Sequence, residues 1–293
     1  CWNTLAKRSD IVLPCTTPLE RKDIMMTPRD PYVVSMSKLV DPYGQARNDY
    51  EIFTGIAKKM GVEKKFTENR NQEEWQEWIY NQTFDRAAAA NIKIPNYKKF
   101  REDGWFKVRD PKEPTIMLKD FRKDPVKNAL ATPSGKIEIF SKTVSDFGYD
   151  DCPGQATWLT PLEWQEVDRG AYPLHLLSPQ PRHRLHSQFD QSAHSQARKI
   201  KGHEVITMHP NAAAKRNLVA EDVVRVFNTR GACLAGVALD SQMREDTVSL
   251  PTGAWFKPCP ITGIELNGNP NVLTRDKGTS QLAQGPSAHT CLV

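Results

Sequence analysis

The spacing of apolar residues changes once along this 293-residue chain, near Thr132. Before that point, apolar side chains recur at three- and four-residue intervals, which predicts helices at 48–60, 71–90 and 96–103. After it, short alternating runs predict strands at 174–177, 204–208, 223–227, 232–238 and 247–250, with one short helix at 211–216. Many short strands with few helices favour a closed barrel. The pattern therefore predicts an α/β portion followed by an all-β barrel.

Domain boundaries follow from the same change of period. We expect an incomplete α/β domain over residues 1–140 and a β-barrel domain over 172–293. The segment 141–171 between them is rich in Asp, Pro and Gly and is interpreted as a linker. Two further strands are predicted at 10–14 and 136–140. Trp75, Trp78 and Ile79 share one helical stripe and are predicted to lie in the core.

Composition narrows the class of protein. Hydrophobic residues make up 39% and charged residues 26%, which is typical of a globular chain, and no apolar run has the length of a membrane span. The net charge of +5 is spread along the chain, so we expect no nucleic-acid partner, and the lack of a long apolar run argues against membrane insertion. The six cysteines form no CxxC pair, which disfavours a zinc ribbon or iron–sulfur site. The missing initial Met, with a first predicted strand that lacks partners, suggests an excised piece of a longer chain.

The most informative local motif is YPLHLLSPQPRHRLHSQFD, residues 172–190. An apolar strand is followed there by Arg182, His183, Arg184, His186 and Ser187. Guanidinium groups bind phosphate or carboxylate, while His and Ser hydrogen-bond to heteroatoms, so this cluster suits a polyanionic ligand rich in heteroatoms. The alternative interpretation is ordinary charge on an exposed loop.

Motifs along nearly the whole chain resemble, in order, segments of the dimethyl sulfoxide/trimethylamine N-oxide/biotin sulfoxide reductase family. They are SDIVLPCTTPLERKDI (9–24), ARNDYEIFTGIAKKMG (46–61), TPSGKIEIFS (132–141), FGYDDCPG (147–154), RLHSQ (184–188), DVVRVFNTRGACLAG (222–236), LPTGAW (250–255), GNPNVLT (268–274) and GTSQLAQGPSAHTCLV (278–293). The resemblance implies a partial α/β domain followed by a double-psi β-barrel that binds a molybdopterin dinucleotide.

The same resemblance implies an activity for the longer parent protein. Its members remove an oxygen atom from small S-oxides or N-oxides and use bis-molybdopterin guanine dinucleotide with molybdenum. No motif for a metal ligand is present here, so we expect that ligand, and the catalytic residues, to lie outside this chain. The other partners implied are the N-terminal domains of the parent and an electron-donor protein such as a c-type cytochrome. A periplasmic location is favoured for the parent, with a cytoplasmic one as the alternative.

Cofactor contacts are carried over to ten residues of this chain. Ser178, Gln180, Arg184, His186 and Ser187 belong to the first motif, and we expect Arg184 to bind the anionic part of the cofactor. The closing motifs contribute Asn269 and Asn271, followed by Thr279, Ser280 and Gln284. His175 alternates with leucines and is expected to be a hydrogen-bonded core histidine instead.

Three alternatives were weighed against this interpretation. A free-standing, non-catalytic module that binds the dinucleotide remains open. A serine hydrolase is rejected because the segment 285–289 resembles only part of the GxSxG motif and has no strand before it and no helix after it. A zinc site formed by His183, His186 and His194 lacks any supporting Cys or HExxH pattern.

Overall fold

The computed structural model describes residues 2–28, 30–108, 114, 116–164, 170–283, 285 and 290–293. Contacts divide the chain into two units, Arg8–Lys123 and Asp124–Val293, and the second also includes the first seven residues. This division by contacts does not test the domain boundary predicted near residue 140, which stays a prediction. No helix among the described residues is long and apolar enough to cross a bilayer.

The first unit is held together by helices and a small antiparallel sheet. Its described helices are α2 (Asp49–Lys59), α3 (Glu63–Thr67), α4 (Gln72–Ala89), α5 (Tyr97–Asp103) and α6 (Lys119–Lys123); α1 (Thr4–Arg8) precedes them. The strands β1 (Asp23–Met26), β2 (Tyr32–Met36) and β3 (Trp105–Lys107) pair in the order β1-β2-β3.

Local capping explains why the three predicted helices form where they do. The side chain of Asn71 accepts a hydrogen bond from the Glu74 amide, and the Asn71 amide donates in return to the Glu74 carboxylate, which together form a capping box. Asn96 caps α5, and Gly104 ends it in the left-handed conformation at φ 80°. The predicted helices 48–60, 71–90 and 96–103 are therefore confirmed to within one residue at each end.

The core of this unit is aromatic, and it differs from the predicted one. Tyr80 and Phe100 stack with ring centroids 4.8 Å apart, and Phe106 packs edge-on against Phe100. The predicted stripe of α4 is wrong, because Trp78 and Ile79 are 42% and 54% exposed. The helix instead buries the adjacent stripe through Gln76 and Tyr80. Trp75 and Trp78 form a surface pair next to the guanidinium of Arg70.

The second unit is built around a six-stranded mixed sheet. Its strands are β4 (His175–Leu177), β5 (Val205–Met208), β6 (Val223–Phe227), β7 (Ala232–Leu239), β8 (Thr247–Ser249) and β9 (Thr290–Leu292), in the order β6-β7-β5-β8-β4-β9. The pairs β4–β8 and β5–β7 are parallel and the others antiparallel. Short helices α7 (Lys142–Ser145), α8 (Ala193–Gln196) and α9 (Pro210–Ala214) accompany the sheet, so the unit is sheet-dominated but not all-β.

Most predicted strands of this unit are confirmed, because their alternating residues fill one core. Leu176, Val237 and Val248 are fully buried in it. The predicted helix at 211–216 is present as α9. His175 is partly buried, and its Nε2 lies 2.6 Å from Oγ1 of Thr290, so the expected hydrogen-bonded histidine is confirmed. Burial lowers the pKa of His175, which favours its neutral form.

Two predicted strands do not form. Residues 10–14 make no ladder, and Ile11 is 77% exposed. Residues 136–140 are also irregular: the carboxylate of Glu138 accepts the Ser134 amide, and Ile139 is 87% exposed. Residues 10–14 are mostly apolar, and residues 136–140 alternate between polar and apolar side chains. A strand, however, also needs a neighbouring strand to satisfy its backbone hydrogen-bonding groups. The sequence also failed to predict several short elements, namely α1, α3, α6, α7, α8, β1, β2, β3 and β9.

Side chains connect the two ends of the six-stranded sheet. The Nδ2 of Asn228, just after β6, donates to the carbonyls of Leu273 and Leu292 at 2.8 and 3.0 Å. Arg230 donates to both oxygens of Glu163 at 2.6 and 2.9 Å, and the Leu292 amide donates to Glu163 at 3.1 Å. Within the described residues no backbone ladder joins β6 to β9, so these bonds link the edge strands.

Glu163 makes the stability of this unit depend on pH. Burial alone would raise the pKa of Glu163, but the hydrogen bonds from Arg230 and the Leu292 amide outweigh it and lower that pKa. A carboxyl with a depressed folded pKa stabilises the fold above its unfolded pKa of about 4.3, and the contribution disappears as pH falls through the folded value. We expect the free energy of unfolding to fall more steeply from about pH 5 to pH 3 in the wild type than in Glu163→Gln. Urea titrations at each pH measure this, with exposed Glu221→Gln as the control; identical slopes in all three would contradict it.

The domain prediction is tested by limited proteolysis. We expect trypsin and subtilisin to leave a resistant core that contains residues 172–293, because the ladder and core of the second unit lie largely there. Mass spectrometry of the early fragments identifies the boundary. Equal digestion rates on both sides of residues 141–171 would argue against this division.

Candidate functional site

The candidate site lies where two parallel strands end side by side. Because β4 and β8 run parallel, their carboxyl ends lie at the same edge of the sheet. The chain continues from them as two loops, 178–190 and 250–255, which we call loop A and loop B. The Leu250 amide donates to Leu177 O at 2.9 Å and the Thr252 amide donates to Pro179 O at 3.0 Å. Loop B therefore runs alongside loop A from the strand ends outward.

Gly253 permits the closest approach of the two loops. Its φ is +96°, in the region that favours glycine, and an added Cβ would lie 2.0 Å from His186 O. His186 itself has a φ of +49°, which turns the chain sharply at the middle of loop A. The glycine of the LPTGAW motif is therefore required by backbone packing against loop A.

Four charged side chains are buried beneath loop A. Nη2 of Arg184 lies 2.7 Å from Oε2 of Glu204, and Nζ of Lys199 lies 2.9 Å from Oδ1 of Asp190. Arg184 Nη1 is also 3.7 Å from Asp190 Oδ1. These side chains are 0–4% exposed, and two cations balance two carboxylates. Removing one member would leave a buried charge unpaired, which costs about 3–5 kcal/mol.

Arg184 also binds the backbone of both loops. Its Nε donates to His186 O at 3.3 Å, within loop A, and its Nη2 donates to Thr252 O at 2.8 Å, in loop B. Nη1 lies 3.0 Å from Nε2 of His183. Since guanidinium can only donate, His183 accepts through Nε2 and its ring is neutral. Burial, followed by the nearby charge of Arg184, lowers the pKa of His183 in agreement with this assignment.

A third loop lies against loop B and is organised by a buried carboxylate. Glu265 is fully buried and accepts the amides of Lys257, Asn267 and Asn269 at 2.7–3.0 Å. The side chain of Asn269 donates to Ala254 O at 2.8 Å. Residues 265–271, here called loop C, are thereby positioned against loop B.

Trp255 joins all three loops. Its amide donates to Oδ2 of Asp190 at 3.1 Å and its indole Nε1 donates to Ser187 O at 2.8 Å. Its carbonyl accepts the side chain of Asn267 at 2.6 Å. Loops A, B and C thus form one hydrogen-bonded wall.

Seven predicted site residues lie in this wall. The hydroxyl of Ser178 is buried and has no hydrogen-bond partner among the described residues. Gln180 donates to Arg184 O at 2.9 Å. His186, Ser187 and Asn271 are exposed, whereas the side chains of Arg184 and Asn269 are buried and bonded to protein atoms.

The remaining predicted residues lie elsewhere or outside the described chain. Thr279 and Ser280 form a separate turn, in which the Thr279 amide donates to Gly285 O at 2.7 Å and the Ser280 amide to Ala283 O at 3.2 Å. No described hydrogen bond joins them to loops A, B or C. Gln284 lies outside the described residues.

Sequence reasoning missed the acids that organise the wall: Asp190, Glu204 and Glu265. A signal was available for two of them. Glu265 stands between Ile264 and Leu266, and Glu204 directly precedes the apolar strand β5. An acid within an apolar run is often a buried, partnered carboxylate.

The histidines of loop A do not assemble a metal site in the part of the chain that the structure describes. The rings of His183 and His194 are 6.3 Å apart between centroids. No group of three or more His, Cys, Asp or Glu side chains there is arranged to hold a metal ion.

Comparison with known proteins finds similarity to two family models. Residues 174–292 match the molydopterin dinucleotide binding domain family, and residues 1–59 match the molybdopterin oxidoreductase family. The first match contains loops A, B and C and the whole six-stranded sheet. The second unit therefore resembles a molybdopterin dinucleotide-binding domain, and the start of the chain resembles part of a molybdopterin oxidoreductase.

Individual relatives are similar over nearly the whole chain. The chain is 40% identical over its full length to trimethylamine-N-oxide reductase of Haemophilus influenzae. It is 37% identical, over 99% of its length, to dimethyl sulfoxide/trimethylamine N-oxide reductase of Rhodobacter capsulatus. It is 39% identical over its full length to biotin sulfoxide reductase of Cereibacter sphaeroides. Over its full length the chain is therefore similar to dimethyl sulfoxide, trimethylamine N-oxide and biotin sulfoxide reductases, and it spans 36–39% of the length of these relatives.

A solved structure supports the fold. Acetylene hydratase from Pelobacter acetylenicus matches 96% of this chain, and 37% of its own chain is covered, with a TM-score of 0.65 and 21% identity. At that level of identity the likeness concerns the fold alone.

The contact between loops A and B is tested by substituting Gly253. Gly253→Ala adds a methyl group against His186 O at an unfavourable φ, so we expect the free energy of unfolding to fall by roughly 2–5 kcal/mol. Gly263→Ala is the matched control, because Gly263 also has a positive φ of +73° but no atom within 4 Å of the added Cβ. Its strain should cost only about 1–2 kcal/mol. Equal losses in urea titrations of the two variants would refute the packing argument.

Proposed function

We propose that this chain is the C-terminal cofactor-binding part of a molybdenum S-oxide or N-oxide reductase. The observation that carries the proposal is the wall of loops A, B and C within the segment that matches the dinucleotide-binding family. The relatives named above reduce trimethylamine N-oxide, dimethyl sulfoxide or biotin sulfoxide according to their names. Substrates of that chemical class are proposed for the longer protein.

The residues of the wall fit a pterin dinucleotide. The unpartnered hydroxyl of Ser178 is a buried polar atom that a ligand could satisfy. His186, Ser187 and Asn271 present further hydrogen-bonding groups at the surface of the same wall. We propose that these residues, with Gln180, meet the cofactor, and that Thr279, Ser280 and Gln284 approach it from the second turn.

The fold proposed for the second unit is a double-psi β-barrel. Support comes from the two parallel strand pairs within a mixed sheet and from the side-chain bonds of Asn228 and Glu163 that link its edge strands. Such a barrel would present the loops at one edge as a continuous binding surface. The first unit is proposed to be part of the α/β domain of the same parent.

In the holoprotein, molybdenum held by two molybdopterin guanine dinucleotides would supply the redox chemistry of oxygen-atom removal. The part of this chain is to bind and orient that cofactor through the wall. The metal ligand is proposed to lie in a preceding domain, and the electron donor is proposed to be a c-type cytochrome. We also propose a periplasmic location, which a twin-arginine signal upstream in the gene would support and its absence would oppose.

The activity proposal is tested by comparing the chain with the full-length protein. Purified full-length protein should oxidise reduced methyl viologen in the presence of at least one of trimethylamine N-oxide, dimethyl sulfoxide or biotin sulfoxide. The isolated 293-residue chain, supplied with the extracted cofactor, should not oxidise reduced methyl viologen, because we propose that the residues that position the reacting atoms on the other side of the cofactor belong to the preceding domains of the parent. Turnover by the isolated chain would refute the assigned division of roles. A full-length protein that binds the cofactor but reduces no oxide would favour a non-catalytic binding module.

A further inference from the structure

We infer that Arg184 is a positioning residue, which holds loops A and B in register for the cofactor instead of touching it. The inference rests on the proposed function only for what the wall binds. Two arginines lie two residues apart in loop A, and the sequence treats them alike. The structure separates them by burial and by partners.

The donors of Arg184 point into the protein. Its side chain is 0% exposed, and it bonds to Glu204, Thr252 O and His186 O at 2.7, 2.8 and 3.3 Å. A guanidinium has five N–H groups in a rigid fork, and these partners occupy three directions around it. The remaining nitrogen faces the Nε2 of His183 and the carboxylate of Asp190. A cofactor phosphate could reach Arg184 only by displacing one of these protein partners.

Arg182 provides the contrast. It is exposed, and among the described residues no hydrogen bond or ion pair involves its side chain. Both residues carry one positive charge in the same loop. A loss of charge alone should therefore affect the two positions alike, whereas a loss of contacts should affect only position 184.

The groups that Arg184 holds are backbone atoms of the wall. His186 O is also the atom against which Gly253 packs, and Thr252 precedes that glycine. Asp190, next to Arg184, receives the Trp255 amide, whose indole in turn binds Ser187 O. Movement of the guanidinium would therefore be transmitted to His186 and Ser187, two of the proposed cofactor contacts.

The experiment uses a matched pair of conservative variants, Arg184→Lys and Arg182→Lys, in the 293-residue chain without cofactor. Lysine keeps the charge but cannot reproduce the forked contacts. We expect Arg184→Lys to shift the indole ¹⁵N–¹H signal of Trp255, assigned with Trp255→Phe. It should also speed hydrogen exchange of the Thr252 and Trp255 amides roughly tenfold or more. Arg182→Lys should leave these signals within about twofold of wild type. The Val237 amide in β7 serves as an internal reference for an intact sheet.

A second variant guards against misfolding. If Arg184→Lys also exposes the Val237 amide, Asp190→Asn is used in place of Arg184→Lys. Asparagine keeps the shape of the Asp190 side chain but weakens the hydrogen bond that Asp190 accepts from the Trp255 amide. An unchanged Trp255 indole signal and unchanged loop exchange in Arg184→Lys and Arg184→Ala would overturn the inference.

Cofactor loading is then measured in the full-length protein as the ratio of molybdenum to protein. Arg184→Lys should lower this ratio and Arg182→Lys should not. Equal ratios in both variants and the wild type would show that the register of the loops does not govern loading, and would count against the inference. The measurements without cofactor do not depend on the proposed function. A wild-type protein that binds no molybdenum would therefore refute the proposed function and leave the inferred role of Arg184 unaffected.

Discussion

The wall depends on charge balance beneath loop A. Arg184 and Lys199 face Glu204 and Asp190 in a space that water does not reach, and an unpaired charge there would cost several kcal/mol. The four side chains come from loop A, the turn after α8 and the residue that precedes β5. Keeping all four paired therefore fixes loop A to the sheet, and loops B and C are attached to loop A in turn.

Buried carboxylates organise the interior of this site, while other polar side chains lie at its surface. Asp190 and Glu265 accept backbone amides of Trp255 and of loop C, so they shape the wall without facing outward. The exposed polar side chains of the wall include Gln180, Arg182, His186, Ser187 and Asn271. A wall of this kind suits an anionic ligand rich in heteroatoms, because its carboxylates are already paired with cations or backbone amides of the protein.

Several features of the fold could be predicted because they are local. Asn71, Asn96 and Gly104 fix the limits of α4 and α5 through bonds that reach no more than four residues along the chain. Strands β5 to β8 were predictable because each has a run of apolar residues, and these residues together fill one core. Residues 10–14 and 136–140 have similar local patterns but find no partner strand, and no property of those segments alone reveals this.

The sequence by itself determined helices α2, α4, α5 and α9, most strands of the second unit, the resemblance to S-oxide and N-oxide reductases, and the segment that forms loop A. Only the tertiary structure decided what each side chain in that loop does. Arg184 and Arg182 look equivalent in sequence, and they differ because Glu204 and Thr252, 20 and 68 residues further on, surround one of them. Burial of a charged group depends on where distant partners come to lie, and that is set by the pairing of β4, β5 and β8 and not by any local pattern.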